Sequence, residues 1–335
     1  MRRSRAFVAV LGAVATLALV AGGPGAAPAA SAPPNSLTAG QILRASPYEY
    51  LGWGNPPRMI NVMAATGVHA FTLAFVLSDG TCNPKWDGER PLLHGRDQRA
   101  IRAIRAAGGD VVVSFGGWSG AKLGQKCATP EDLAGAYQEV IDAYRLKAID
   151  IDIEHTEIAS AVVRQRVIDA LKLVHAKGGG PVAIAITIGT GLHGPEGPEL
   201  DMIHRAAASG LSVRVWAVMP FDFGSPVTDM GRASIRAAEG LKRRLMASFG
   251  ISARAAYHRM GISSMNGATD ETDETVSLAD FRRMRAYARQ HHLARFTFWA
   301  VNRDRPCGPH TSPDACSGVP QERWAFTMAI ARFHG

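Results

Sequence analysis

Residues 148–154 read Ala-Ile-Asp-Ile-Asp-Ile-Glu, a strict alternation of apolar and acidic side chains. In a β-strand, residues two apart share a face. Asp150, Asp152 and Glu154 therefore line one face, and Ile149, Ile151 and Ile153 the other. With the isoleucines packed on a hydrophobic layer, three acids point into one confined space. Like charges that close disfavour full ionisation, so at least one acid holds a proton near neutral pH. A carboxyl that stays protonated is what a general acid requires. A solvated acidic face is the plain alternative, but like charges on one strand face are unfavourable and Asp is depleted in strands. A hard cation such as calcium, magnesium or manganese is the sharper rival. The run lacks the spacing of a calcium loop, and no paired His ligands stand beside it. No metal and no cofactor are expected.

Other elements must hold this strand in place. Short β-like runs occur at Tyr48–Trp53, Ala70–Leu77, Asp110–Gly116, Ala148–Glu154, Val182–Ile188, Val213–Phe221, Arg259–Ser264 and Arg295–Val301. Amphipathic helical patterns follow them at Pro57–Thr66, Asp97–Ala107, Glu131–Arg145, Ala159–Ala176, Pro198–Ala208, Ser234–Phe249, Leu278–His291 and Gln321–Phe333. Eight strand-helix units predict an α/β protein, a parallel (β/α)8 TIM barrel forming one domain over 45–335. An open doubly wound sheet would usually carry a Gly-rich phosphate loop after its first strand, and Tyr50-Leu51-Gly52-Trp53-Gly54-Asn55-Pro56-Pro57 does not match one. In a barrel the active site lies at the strands' C-terminal ends. There the chain places, beside Glu154 on strand four, the candidate substrate-binding residues Ser114, Gly116 and Gly117 on strand three, Met219 and Asp222 on strand six, and Trp299 and Asn302 on strand eight.

These residues resemble glycoside hydrolase family 18, the chitinases and chitinase-like proteins. The family's strand-four signature DxxDxDxE reads Lys147-Ala148-Ile149-Asp150-Ile151-Asp152-Ile153-Glu154 here, with three of its four acids present. Its SxGG motif is matched by Ser114, Gly116 and Gly117, and its Met-x-x-Asp element by Met219 and Asp222. Trp299 with the following Ala300–Arg305, and Ala74–Ser78 with Cys82 and Trp86, look like a bacterial chitinase branch. The resemblance covers about residues 46–335. It implies that Glu154 is the general acid, that Asp152 orients and stabilises the substrate's 2-acetamido group as nucleophile, and that Asp150 supports Asp152. This substrate-assisted route is an exception among retaining glycosidases. The resemblance also implies that Asp222 helps hold the acetamido group, that Met219 shapes the pocket floor, and that Trp299 stacks on the sugar.

The residue chemistry is consistent with those roles. Gly116 and Gly117 lack Cβ, so strand three can end close to strand four and the ligand. Trp299 and Trp118 offer flat apolar faces for pyranose C–H groups, although a lone Trp is more often core. Trp53 and Trp86 are candidates to line the groove, Trp324 is assigned to the core, and His155 is expected at the rim, pointing away from the interior. Two departures from the family stand out. Lys147 replaces the signature's first acid. Phe221 and Phe223 flank Asp222 where many members place a Tyr whose hydroxyl contacts the acetamido oxygen.

Arg2, Arg3 and Arg5 precede the apolar run Ala6–Val20 and a small-residue stretch. This predicts a secretory signal over residues 1–30, followed by a Pro/Ala/Ser-rich linker over 31–44. Export makes the protein secreted and extracellular. The chain has 37 basic and 29 acidic residues, and 34 − 29 = +5 without the three signal arginines. No Lys/Arg block marks a nucleic-acid partner and no second apolar run is long enough to cross a bilayer, so neither nucleic acid nor membrane is expected as a partner. Four cysteines in an oxidising compartment predict disulfides. Cys307 and Cys316 share a Pro/Gly/Ser loop, and Cys82 and Cys127 each follow a strand, which favours Cys82–Cys127 and Cys307–Cys316 among three formal pairings.

The reading is a monomeric secreted chitinase whose partner is chitin or another N-acetylglucosamine-containing oligosaccharide. Alternatives are an endo-β-N-acetylglucosaminidase on glycoprotein glycans, or a chitin- or glycan-binding protein with little turnover. Glu154 argues against the binder, and the two phenylalanines argue weakly for it.

Overall fold

The computed structural model describes residues 37–177 and 182–334. Eight parallel strands follow one another around a sheet: β1 (Tyr48–Tyr50), β2 (Ala70–Ser78), β3 (Asp110–Gly116), β4 (Ala148–Asp152), β5 (Ala183–Gly189), β6 (Val215–Met219), β7 (Met260–Met265) and β8 (Arg295–Trp299). Each is followed by a flanking helix: α1 (Met59–Thr66), α2 (Arg96–Ala106), α3 (Pro130–Tyr144), α4 (Ala161–Ala176), α5 (Gly197–Ser209), α6 (Met230–Phe249), α7 (Leu278–Gln290) and α8 (Ala325–Ala331). This is the (β/α)8 barrel read from the sequence.

The ladder runs from β1 to β8 in chain order. Among the described residues no backbone ladder joins β8 to β1. Side chains stitch that seam instead. Thr297 Oγ1 donates to Ser46 O at 2.6 Å, and Asn302 Oδ1 accepts from Tyr50 N at 2.9 Å.

The alternation in β4 does what its pattern requires. Ile149, Ile151 and Ile153 are buried in the main core with the helices. Asp150 and Asp152 turn into the barrel, in register with Ser114 and Gly116 on β3 and with Ala185 and Thr187 on β5. The interior is layered. Small residues Ala70, Ala148, Ala185 and Ala217 form the lower layer with Val112 and Val215. Above them lies a fully buried polar layer of Thr72, Ser114, Asp150, Thr187, Arg295 and Thr297.

Residues 39–44, expected to be linker, form a helix instead. Ala39–Arg44 starts at a capping box between Thr38 and Gln41, and buries Ile42 and Leu43 against the lower layer. The small residues leave room that the helix fills, so it closes the barrel's N-terminal end. The S/T-x-x-Q signature of that box was present in the sequence, but the surrounding Ala/Pro/Gly composition masked it. The signal over 1–30 lies outside the described residues, as does the start of the linker.

Several strands end earlier, and one helix starts later, than their hydrophobic runs. Gly54 with φ +73° helps turn the chain after β1, and Trp324 with φ +62° delays α8 to Ala325. Both disulfides have the pairing favoured above, Cys82–Cys127 and Cys307–Cys316.

Glu49 departs from the pattern of a tidy core. Its neighbours Tyr48 and Tyr50 face the barrel interior, so it faces outward, fully buried, with neither carboxylate oxygen hydrogen-bonded. Burial pushes its pKa well above the ordinary value, opposed by the Arg305 charge. A carboxyl with a raised folded-state pKa contributes stability fully below its unfolded pKa, and that contribution is lost as pH rises toward the folded one. Glu49→Gln is therefore expected to flatten the fall in stability between mildly acidic and alkaline pH. Each unit of raised pKa removed corresponds to about 1.4 kcal/mol. Denaturant melts at both pH values check it; an unchanged difference refutes it.

Candidate active site

Asp150 sits at the centre of the polar layer with no exposure. Its Oδ2 accepts from the Tyr48 hydroxyl and from Ser114 Oγ, both at 2.7 Å. Its Oδ1 accepts from Thr187 Oγ1 at 2.8 Å and faces Arg295 Nη1 at 3.3 Å. Four other strands thus converge on one carboxylate, which fixes β4 in the barrel.

Asp152, one pleat higher, is 3% exposed and its Oδ1 has no hydrogen-bond partner. Burial, then the charges of Glu154 and Asp150, push its pKa well above the carboxylate range. Glu154 lies two residues past the end of β4 rather than on it. Ile153 N still donates to Thr187 O at 3.1 Å, which keeps the chain extended, and Glu154 then occupies the N-cap position of the short helix His155–Ala159 without a side-chain cap. Burial pushes Glu154 up to about 7, helped by the charges of Asp222 and Asp270 and opposed by Lys122. The arrangement is a carboxyl that holds a proton near neutrality beside a buried acid with a free acceptor oxygen.

An aromatic wall flanks these acids. Trp299 is half-buried and stacks on Phe75, with ring centroids 5.5 Å apart and planes 10° apart. Tyr48, Tyr50 and Trp53 pack around it at 6.0 to 6.2 Å. Trp53 is 43% exposed and Trp118 63%. Trp118 stacks on the exposed ring of His155 at 4.6 Å. Met219 ends β6 and is buried. Asp222 follows with φ +51°, and its Oδ1 accepts from Asp270 N and Glu271 N at 3.1 Å each.

No protein-family model matches the chain. It is 30% identical over 309 residues to a probable bifunctional chitinase/lysozyme of Escherichia coli, covering 86% of this chain and 34% of that one. It is 30% identical over 258 residues to endochitinase 11 of Metarhizium anisopliae, covering 71% of this chain and 48% of that one. The chain therefore spans less than half the length of either relative. Its fold superposes on the catalytic domain of the hyperthermophilic chitinase from Pyrococcus furiosus with TM-score 0.77 and 28% identity, covering 86% of this chain and 93% of that domain. A family 18 chitinase from Pseudoalteromonas aurantia shares the fold at TM-score 0.56 and 15% identity, over 78% of this chain and 95% of that one. This chain is a family 18 chitinase-like protein.

Within this family 18 barrel, Asp150, Asp152, Glu154, Asp222, Met219 and Trp299 gather at the strands' C-terminal ends. Three other expectations need correction. Ser114 was expected to bind substrate, but it is fully buried and its hydroxyl is spent on Asp150. Asn302 was expected to bind substrate too. It is 1% exposed and clamps the β1 loop, donating from Nδ2 to Tyr50 O at 2.8 Å and Trp53 O at 3.0 Å. Trp86 does not line the groove. It is fully buried, and its indole N–H donates to the Tyr144 hydroxyl at 2.8 Å. Gly116 and Gly117 act through close packing: φ is +105° and +82°, a Cβ on Gly116 would overlap the Asp152 carbonyl, and one on Gly117 would lie 2.6 Å from the Phe75 ring.

Lys147 turns to the lower end, paired with Asp110 at 3.0 Å and donating to Leu37 O at 2.8 Å. There it ties the N-terminal helix segment to the barrel and is remote from the acids. Phe221 and Phe223 are half-buried and pack against the main core. Trp324 packs there as well, half-buried.

Two charged residues at the site escaped the sequence. Lys122 is 1% exposed and Glu157 is 3% exposed. Glu157 lies three residues past Glu154, on the same side of a helix turn, which was the one available signal. Lys122 is a single lysine in a Gly/Ser loop, and nothing local marks it as buried.

Proposed function

We propose that the protein is a secreted chitinase that hydrolyses β-1,4 bonds between N-acetylglucosamine units with retention, the substrate's own acetamido oxygen acting as nucleophile. The observation that carries this reading is Glu154, two residues past the buried Asp152 at the C-terminal end of β4, with its carboxyl pushed up to about 7 by burial. The Pyrococcus furiosus domain, 28% identical, has been solved as a mutant complexed with chito-oligosaccharides. The N-terminal signal pattern supports export.

In the first step Glu154 gives its proton to the glycosidic oxygen as the C1–O bond breaks. The acetamido carbonyl oxygen bonds to C1 from the opposite face. Asp152 accepts a hydrogen bond from the acetamido N–H and offsets the positive charge that spreads over the ring. Asp150, anchored by Tyr48, Ser114, Thr187 and Arg295, holds Asp152 in place through β4. In the second step water attacks C1, its proton goes to Glu154, and the acetamido group is released. The β-configuration is retained because C1 is inverted twice.

The test is incubation of the pure protein with chitin oligomers and with an N-glycosylated protein, with products identified by mass and the first-formed anomer by NMR. Cleavage of chitin oligomers to β-anomers is expected, with cellulose oligomers and deacetylated chitosan left intact. An α-anomer formed first rules out the acetamido route. Products from the glycoprotein alone replace chitin by glycan as substrate.

A pH dependence follows. Activity needs protonated Glu154 and is expected to fall on the alkaline side with an apparent midpoint near 7. Asp270 raises that midpoint by its charge, so Asp270→Asn should move the limb to lower pH by roughly half a unit. A limb that stays or moves upward contradicts the assignment.

A further inference from the structure

Lys122 is a charged side chain removed from water, placed where the acids are. Its Nζ donates to Gly116 O at 3.3 Å, to Ser119 O at 2.5 Å, and to Gly117 O. Three donors meet three carbonyls of one turn, the turn that ends β3. The same turn touches the catalytic strand, since Gly117 N donates to Asp152 O at 2.8 Å. It also carries Trp118 on its outer side. Lys122 therefore fastens the backbone that fixes Asp152 from one flank.

The carboxyls around it come from two elements. Asp152 and Glu154 lie at the end of β4, and Glu157 lies on the helix His155–Ala159; all three attract the ammonium. Glu157 Oε1 accepts from Gly124 N at 3.1 Å, which docks that helix against the segment after Lys122. The nearby cation on α4, Arg166, is engaged with Gly124 O at 2.8 Å. Burying an ammonium is costly unless it is hydrogen-bonded and offset by charge. A neutral donor would satisfy carbonyls at lower cost, so a purely structural clasp does not account for a lysine here.

We propose that Lys122 is a positioning residue for the acid pair, fixing the Gly116–Ser119 turn against Asp152 and supplying the cation that sets the pH range over which Asp152 and Glu154 share a proton. The inference rests on the hydrolytic reading of this site. Burial and like charge raise both acids, and the Lys122 charge opposes that rise in each. Glu157, pushed up to about 7 by burial, is held down by the same ammonium. Without Lys122, Glu154 would keep its proton to higher pH and Asp152 would lose its own later.

The experiment compares wild type with Lys122→Met and Lys122→Arg on chitin oligomers, measuring kcat, KM and melting temperature across both pH limbs. In K122M the alkaline limb should move upward by roughly one pH unit, the effect of a unit charge at that range in partly buried surroundings. Turnover at the new optimum should fall by at least about tenfold with KM changed less than about threefold, as expected for a misplaced turn that acts on the transition state. K122R, which keeps the charge and the donors, should restore the limb position. A K122M protein that melts earlier but keeps the wild-type limbs overturns the proposal, as does a K122R protein whose limbs match those of K122M.

Wild type supplies a readout that needs neither a folded variant nor turnover. The Lys122 Cε resonance should titrate with the same midpoint as the Glu154 carboxyl carbon. A lysine signal flat across that titration overturns the proposal. If wild type cuts no chitin oligomer yet the two signals titrate together, the chitinase reading fails and the electrostatic link stands.

Discussion

Replacing Glu154 with glutamine is expected to abolish hydrolysis of chitin oligomers while leaving the fold and oligosaccharide binding nearly intact. Glutamine keeps the size and the hydrogen-bonding shape of the side chain but has no proton to give. Positioned proton transfer contributes typically ~10²–10⁴ in rate, or roughly 3–5 kcal/mol of barrier. Neither Asp150 nor Glu157 stands ready to substitute. Asp150 is enclosed by Tyr48, Ser114, Thr187 and Arg295. Glu157 is buried and tied to Gly124 N. The fold should survive because Glu154 lies past the end of β4 and forms no side-chain cap on the helix that follows. Turnover and oligomer binding measured on the same preparation decide the matter. A rate within about tenfold of wild type, ~1.4 kcal/mol, would sink the assignment of Glu154 as proton donor.

The second large effect belongs to Asp150→Ala, and it should reach stability as well as turnover. Asp150 and Arg295 form an ion pair whose side chains are both fully buried. Removing one partner of such a pair leaves an uncompensated charge and costs about 3–5 kcal/mol. Arg295 would keep its bond to Thr72 Oγ1 at 2.9 Å, which does not neutralise it. The hydroxyls of Tyr48 and Ser114 would lose their common acceptor as well. Turnover should fall because β4 loses its anchor, and the acid limb of activity should move to lower pH because Asp152 loses one of the charges that raise it. Urea melts and pH-rate profiles of the variant check both parts. A variant within about 1 kcal/mol of wild-type stability would show that the polar layer relaxes around the lost charge.

Much of this site was legible before folding, because the relevant information was local. The period of two in residues 148–154 decides which side chains share a face, whatever surrounds the strand. It put Asp150 and Asp152 into the barrel and the isoleucines into the outer core. The alternation of strand and helix patterns fixed the barrel, and loop positions of the cysteines favoured the pairing that is found. Where sequence reasoning ran past its information, it named end-of-strand residues as ligand contacts. Ser114 and Asn302 occupy such positions, yet both are buried and their polar atoms are satisfied within the protein.

The sequence by itself determined that Asp150 and Asp152 share one face of one strand, with Glu154 following just past its end, and that this strand belongs to an eightfold α/β array. Tertiary structure decided what those acids meet. Tyr48, Thr187 and Arg295 lie 102, 37 and 145 residues from Asp150. No local spacing predicts such contacts; they arise when the sheet curls and opposite strands face each other across its interior. The same closure buries Lys122 and Glu157 beside the acids. It also leaves a lower layer of small residues that Ile42 and Leu43 seal. Raised pKa values depend on desolvation and on neighbouring charge, and both are set by which distant segments exclude the water.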